Sequence, residues 1–276
     1  MNQGQISFTI SQTSNRTRAR RGVLITPHGT YRTPLLVKPL SADSDQGMAW
    51  TSGLRVKLAY HEHELKRAGG LPGLLHWPDS LIVASGSSDV FNNGHAFKLD
   101  QKGIHYVGAE KEAFLSPEVS VREAAVSGAD IAIALSDCPP YYSSYDHLKK
   151  HTEQNNRWMK RATQAHDRQN VALFGVIEGG GLKELRQISI DFVTQLGFAG
   201  YVIGGLTKDV ALPEASRLIQ EVVPRLPAEA PRLLERVGDK ELLSVAINSG
   251  VDILLASPDA DLRRLQQRLS QINANF

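Results

Sequence analysis

From residue 130 onwards, short apolar runs alternate with longer stretches of helical character, and this alternation restricts the fold more than any other feature. DIAIALSD (130–137), VALFGVIEGG (171–180), GYVIGGL (200–206), PRLLERVG (231–238) and VDILLAS (251–257) are short apolar runs that end in Gly or polar residues. Such runs read as buried strands. The segments 144–167, 182–197, 213–226, 239–250 and 259–272 follow them in turn and read as helices. In 182–197, Leu182, Leu185, Ile188, Phe192, Val193 and Leu196 are expected on one helical face, and Gly197 ends it. Repeated strand–helix pairs are βαβ units, which means a parallel sheet. Upstream, TPLLVKP (33–39) and SLIVASG (80–86) are further strands, and one more is expected within 53–60.

Seven or eight strands in 276 residues suit a (β/α)8 TIM-like barrel in an α/β class chain. A doubly wound sheet is the alternative, but no GxGxxG follows a first strand. AFKLD (96–100) and GIHYVG (103–108) read as a hairpin inserted after the third strand. No repeat, low-complexity tract or linker interrupts the chain, so residues 1–276 read as a single domain.

Composition narrows the function. With 31 basic and 29 acidic residues the net charge is +2, which excludes a strongly basic nucleic-acid-coating protein. The basic residues are nevertheless clustered. Arg16, Arg18, Arg20 and Arg21 form one group, Lys149, Lys150, Arg157, Lys160 and Arg161 a second, and Arg263, Arg264 and Arg268 a third. Such clusters contact phosphate or are simply solvated surface. The single cysteine, Cys138, rules out an internal disulfide and a Cys-rich zinc site. No apolar run approaches a membrane span, and the first residues lack the apolar core of a secretory signal. A cytoplasmic protein without membrane partners is expected.

In a barrel of this kind, chemistry belongs at the C-terminal ends of the strands. Those ends are Ala84 to Asp89, Ser136-Asp137-Cys138, Glu178-Gly179-Gly180, Gly204-Gly205-Leu206, Arg236-Val237-Gly238 and Leu255-Ala256-Ser257. The Gly-Gly turns let a planar ligand approach backbone amides. Asp137 and Glu178 are candidates for an acid–base pair or for reading the polar edge of a base, and each is equally compatible with a helix-capping role. His61 and His63 form HxH, but no further metal ligands can be placed beside them.

Read in order, these stretches resemble the tRNA-guanine transglycosylase family, which exchanges a guanine in tRNA for a deazaguanine. RRGVLITPHGTYRTP (20–34) is similar to the family's opening antiparallel hairpin. GGLPGLLHWPDSLIVASGSSDVF (69–91) is similar to its stretch ending Asp-Ser-Gly-Gly-Phe-Gln. FLSPEVSVREAAVSGADIAIALSDCPPY (114–141), ALFGVIEGG (172–180) and GYVIGGL (200–206) resemble three further segments. The resemblance covers roughly residues 20–255. It implies a base pocket of Ser136, Asp137, Glu178, Gly204, Gly205 and Leu206, with tRNA as partner and weaker RNA contacts through Arg16, Arg18, Arg20 and Arg21.

The departures from the family are as informative. A family acid that takes part in base recognition or proton transfer corresponds to Ala84, and a base-contacting Gln to Glu178. The covalent nucleophile, an Asp at the end of the last strand, corresponds to Leu255, which has no atom able to attack ribose C1′. Of the two flanking acids, Asp252 begins the strand and Asp259 lies just beyond its end, which makes Asp259 the more plausible substitute. The family's zinc subdomain, with three Cys and one His, has no counterpart, so no cofactor is expected. The 40–68 stretch is short, which suggests a reduced second βα unit. Together these changes imply a family member without base-exchange activity, acting as the partner of a catalytic paralogue or as a homodimer. A protein of changed chemistry acting on a purine-like ligand is the alternative, with Asp89 joining Asp137 and Glu178, and an active enzyme with a relocated nucleophile is a third reading.

Overall fold

The computed structural model describes residues 6–41, 46–92, 96–108, 111–167, 171–206, 210–274 and 276. The chain opens with three antiparallel strands, β1 (Ser7–Thr13), β2 (Arg20–Thr26) and β3 (Gly29–Thr33), in that spatial order. The barrel then begins with β4 (Leu35–Pro39) and β5 (Ala49–Ser52). Three short helices, α1 (Gly53–Ala59), α2 (Glu62–Ala68) and α3 (Gly70–Leu75), lead to β6 (Leu81–Ala84). An insertion follows: α4 (Ser87–Asn92), then an antiparallel sheet of β7 (Ala96–Leu99), β8 (Ile104–Val107) and β9 (Glu112–Leu115), then α5 (Pro117–Val126). Strand and helix alternate from there as β10 (Ile131–Ile133), α6 (Tyr145–Ala165), β11 (Ala172–Ile177), α7 (Lys183–Thr194), β12 (Gly200–Ile203) and α8 (Leu212–Val222). After a short 3₁₀ turn come β13 (Arg232–Val237), α9 (Lys240–Ser249), β14 (Ile253–Ala256) and α10 (Leu262–Ala274).

Strands β4, β5, β6 and β10 to β14 close into an eight-stranded barrel in chain order, every pair parallel. Each is short and apolar because both its faces are covered, by neighbouring side chains inside and helices outside. The expected (β/α)8 architecture is therefore present. No helix among the described residues is long and apolar enough to cross a membrane.

Four expectations need correction. The strand expected within 53–60 lies earlier, at β5, because the Ser52 hydroxyl accepts the Arg55 amide and turns the chain into α1. The shortening falls between β4 and β5, whose connection carries no helix among the described residues, while the next unit keeps three. Both antiparallel hairpins gain a third strand, β1 at the N-terminus and β9 in the insertion. On α7, Ile188 is 46 % exposed and Ile190 is buried in its place. The buried stripe of α7 runs Leu185, Arg186, Ser189, Ile190 and Val193, so it is rotated to bring Arg186 and Ser189 against the barrel.

The barrel floor explains two of the arginines. Arg20 is buried and donates from Nε to Asp252 Oδ1 at 2.8 Å and from Nη2 to Asp252 Oδ2 at 2.5 Å. Its guanidinium also reaches the carbonyls of Ala228 and Ala230, and Asp252 accepts the Arg232 amide as well. Arg21 lies 4.4 Å over the Phe276 ring and donates to the Asn273 carbonyl. Arg20 and Arg21 are thus both engaged within the fold, Arg20 buried and Arg21 half-buried. Arg16 and Arg18 are exposed, but Arg18 is bonded to Asn248 and Gln220 at the floor, opposite the strand C-termini.

Candidate active site at the barrel mouth

The C-terminal end of β11 delivers Glu178, and α7 folds back beneath it. The Ser189 hydroxyl accepts the Glu178 amide at 3.1 Å. Arg186 is buried and donates to three backbone carbonyls, those of Gly180, Ile177 and Gly204, at 2.7–2.8 Å. This leaves Arg186 Nη2 without a partner, and Glu178 Oε2 has none either. Both atoms face the turn after β12. A Cβ on Gly205 would stand 2.6 Å from each, and one on Gly204 would stand 2.4 Å from Glu178 Oε1. Gly205 also has φ +74, so the Gly-Gly pair is required by space and by backbone conformation. Burial raises the Glu178 carboxyl to about 8, with Arg186 opposing and Asp137 and Glu235 adding to the rise.

Glu235, from β13, is a site residue that the strand ends did not include, and Arg236 was expected only as the end of that strand. Both lie at a register shift between Leu234 and Val237 and line the mouth beside Glu178. Arg236 adopts φ 62, a left-handed conformation that costs a non-glycine residue about 1 kcal/mol or more. Its Nε is buried without a partner. Burial pushes the Glu235 carboxyl to about 7, with Arg236 opposing and Asp89 adding.

The remaining expected residues are only partly brought together. Ser136, Cys138, Glu178, Gly204, Gly205, Leu206, Glu235 and Arg236 line one cavity of about 30 Å³, room for little more than a water molecule. Burial, with Glu178 and Asp137 adding to it, pushes the Cys138 thiol well above its usual range, so it carries no thiolate. Asp137 is directed elsewhere: its carboxylate meets Nδ1 of His151 on α6, and its backbone is held by Asn155 at 2.7 and 2.8 Å. Asp89 is engaged by Arg55 at 3.1 and 3.2 Å. Asp137 and Asp89 thus each hold a partner outside the cavity, while Asp137 and Glu235 both act on Glu178 and Asp89 acts on Glu235.

Ala84 ends β6, buried, with no acid in its place. Leu255 is 1 % exposed and packed in the apolar core at β14. Asp259 lines a second cavity of about 310 Å³ with Asp239, Ser257 and Gly238. Leu206, Glu235 and Arg236 line both cavities and lie between them. Asp259 lines the second cavity and Glu178 the first. No group of three or more His, Cys, Asp or Glu able to hold a metal occurs among the described residues, and one cysteine cannot supply a three-cysteine zinc set.

Comparison with known proteins agrees with this architecture. Residues 14–257 match the family model described as "Queuine tRNA-ribosyltransferase". A queuine tRNA-ribosyltransferase of Pelotomaculum thermopropionicum is 36 % identical over 272 residues, covering 90 % of this chain and 71 % of the relative. Relatives with the same name from Geobacillus kaustophilus and Listeria welshimeri are 33 % and 32 % identical over 266 residues, each covering 90 % of this chain and 69 % of theirs. With a barrel of the expected form and a match across nearly its whole length, the chain belongs to the queuine tRNA-ribosyltransferase family.

Proposed function

We propose that this chain serves tRNA modification without exchanging bases itself, as the non-catalytic partner of an active family member. The observation that carries this reading is the state of the mouth. The position corresponding to the family nucleophile is Leu255, an apolar side chain in the core with nothing to form a glycosyl–enzyme bond. The position of the family acid is Ala84. The space between Glu178 and the Gly204-Gly205 turn is about 30 Å³, roughly a tenth of the smallest ordinary ligand pocket. Glu235 and Arg236 line this space beside Glu178. Asp259 lines a neighbouring cavity, not the one that Glu178 lines.

The test is incorporation of labelled guanine into bulk tRNA by the purified protein. The expected result is no incorporation above a no-enzyme control, with stimulation or stable complex formation when an active relative is added. Incorporation by the protein alone overturns the proposal, and Asp259→Asn then decides whether the nucleophile has moved. One observation favours a second reading, changed chemistry on a small ligand: two carboxyls with raised pKa values, Glu178 and Glu235, meet at the mouth. Under that reading, loss of both carboxyls abolishes ligand turnover or binding.

A further inference from the structure

The contact between Asp137 and His151 belongs to a second cluster, on the outer side of the mouth. Helix α6 is N-capped by Ser144, and its first two turns carry His147 and His151. Residues four apart on a helix are neighbours on one face. Here the two imidazoles are 4.2 Å apart between ring centroids and tilted by 44°. His147 is exposed, and His151 keeps 16 % of its side chain accessible. We infer that His147 and His151 form a two-imidazole binding site for a divalent transition-metal ion, oriented from behind by Asp137.

The chemistry of the donors supports this. Asp137 is 1 % exposed, so its carboxylate is a fixed acceptor in a dry place. It takes the Nδ1–H of His151, which leaves the Nε2 lone pair as the ligand atom. Metal-binding histidines are typically held this way, with a carboxylate on the other ring nitrogen fixing tautomer and orientation. The carboxylate is itself held, by Gln154 Nε2 at 3.4 Å and through the paired backbone bonds to Asn155. Two neutral nitrogens with water completing the shell suit Cu²⁺, Ni²⁺ and Zn²⁺ rather than Mg²⁺ or Ca²⁺, and Cu²⁺ binds tightest in such a set. Of the nearby cations, Lys149 lies 3.6 Å from Glu153, which offsets its charge. The site has two protein ligands, and is therefore of a different kind from a closed structural zinc site.

The experiment titrates the metal-stripped full chain with Cu²⁺, followed by electron paramagnetic resonance, and with Zn²⁺ by calorimetry. One Cu²⁺ equivalent with a two-imidazole nitrogen pattern is expected. His147→Asn and His151→Gln each lower the affinity at least tenfold, and Asp137→Asn lowers it by about 10–100-fold. The double variant His61→Gln/His63→Gln, which removes the other histidine pair, leaves it unchanged. His147 is exposed, so His147→Asn remains informative if Asp137→Asn fails to fold. No binding at millimolar metal overturns the inference, as does an unaltered spectrum and affinity in His147→Asn and His151→Gln.

Discussion

The buried carboxyl of Glu178 makes a sharp prediction about stability and pH. Its folded pKa is about 8 against an ordinary value of 4.5, chiefly because burial disfavours the charged form. The folded protein thus holds a proton that the unfolded chain releases above the ordinary value. Stability contributed by the protonated group is fully present below the unfolded value and is lost as pH rises towards the folded one. A tenfold difference in proton affinity between the two states is worth about 1.4 kcal/mol, so the loss between roughly pH 5 and 8 totals a few kcal/mol. Glu178→Gln keeps the shape and cannot ionise. Its urea midpoint should match wild type near pH 5 and exceed it increasingly towards pH 8. Glu235 is raised as well, so the difference between the two proteins reports Glu178 together with its coupling to Glu235. A gap that stays constant across this range refutes the reasoning, and would mean that Arg186 fully compensates an ionised Glu178.

Other consequences can be measured with the same assay or simple probes. Asp252→Ala leaves the buried Arg20 guanidinium uncompensated and should cost about 3–5 kcal/mol in urea unfolding. Gly204→Ala drives a methyl to 2.4 Å from Glu178 Oε1 and 2.6 Å from Val176 Cγ1, and should cost about 1–3 kcal/mol by the same measurement. Arg236→Gly relieves the left-handed backbone at φ 62, so the variant should be no less stable than wild type and up to about 1 kcal/mol more so. Cys138 should resist thiol reagents at pH 8 in the folded protein and react fully once unfolded.

The barrel was legible because parallel strands covered on both faces are continuous apolar runs, and runs such as Ala172–Ile177 have no other simple reading. The mouth was legible only as a set of strand ends. Glu178 and the Gly204-Gly205 turn fell where strand-end logic put them. Asp137 sits at its strand end, but its carboxylate is bonded to His151 and Gln154 of the following helix. The pairing of Glu235 with Arg236 at the mouth was hidden by a local irregularity of β13 that no residue pattern announces. Arg20 read as surface charge because its partner, Asp252, lies 232 residues further along the chain.

That separation governs how the molecule can be assembled. Strand β14 sits between β13 and β4, with Ile253 opposite Leu35, so the ring cannot shut until residues beyond 250 have been made. Until then β4 and β13 are open apolar edges, the kind of surface that recruits other chains. Arg20, near the start, waits through the same interval for its carboxylate partner. Newly synthesised protein is therefore exposed to misassembly until β14 has been made, and its yield should depend on temperature and on chaperone supply more than the stability of the finished barrel would suggest.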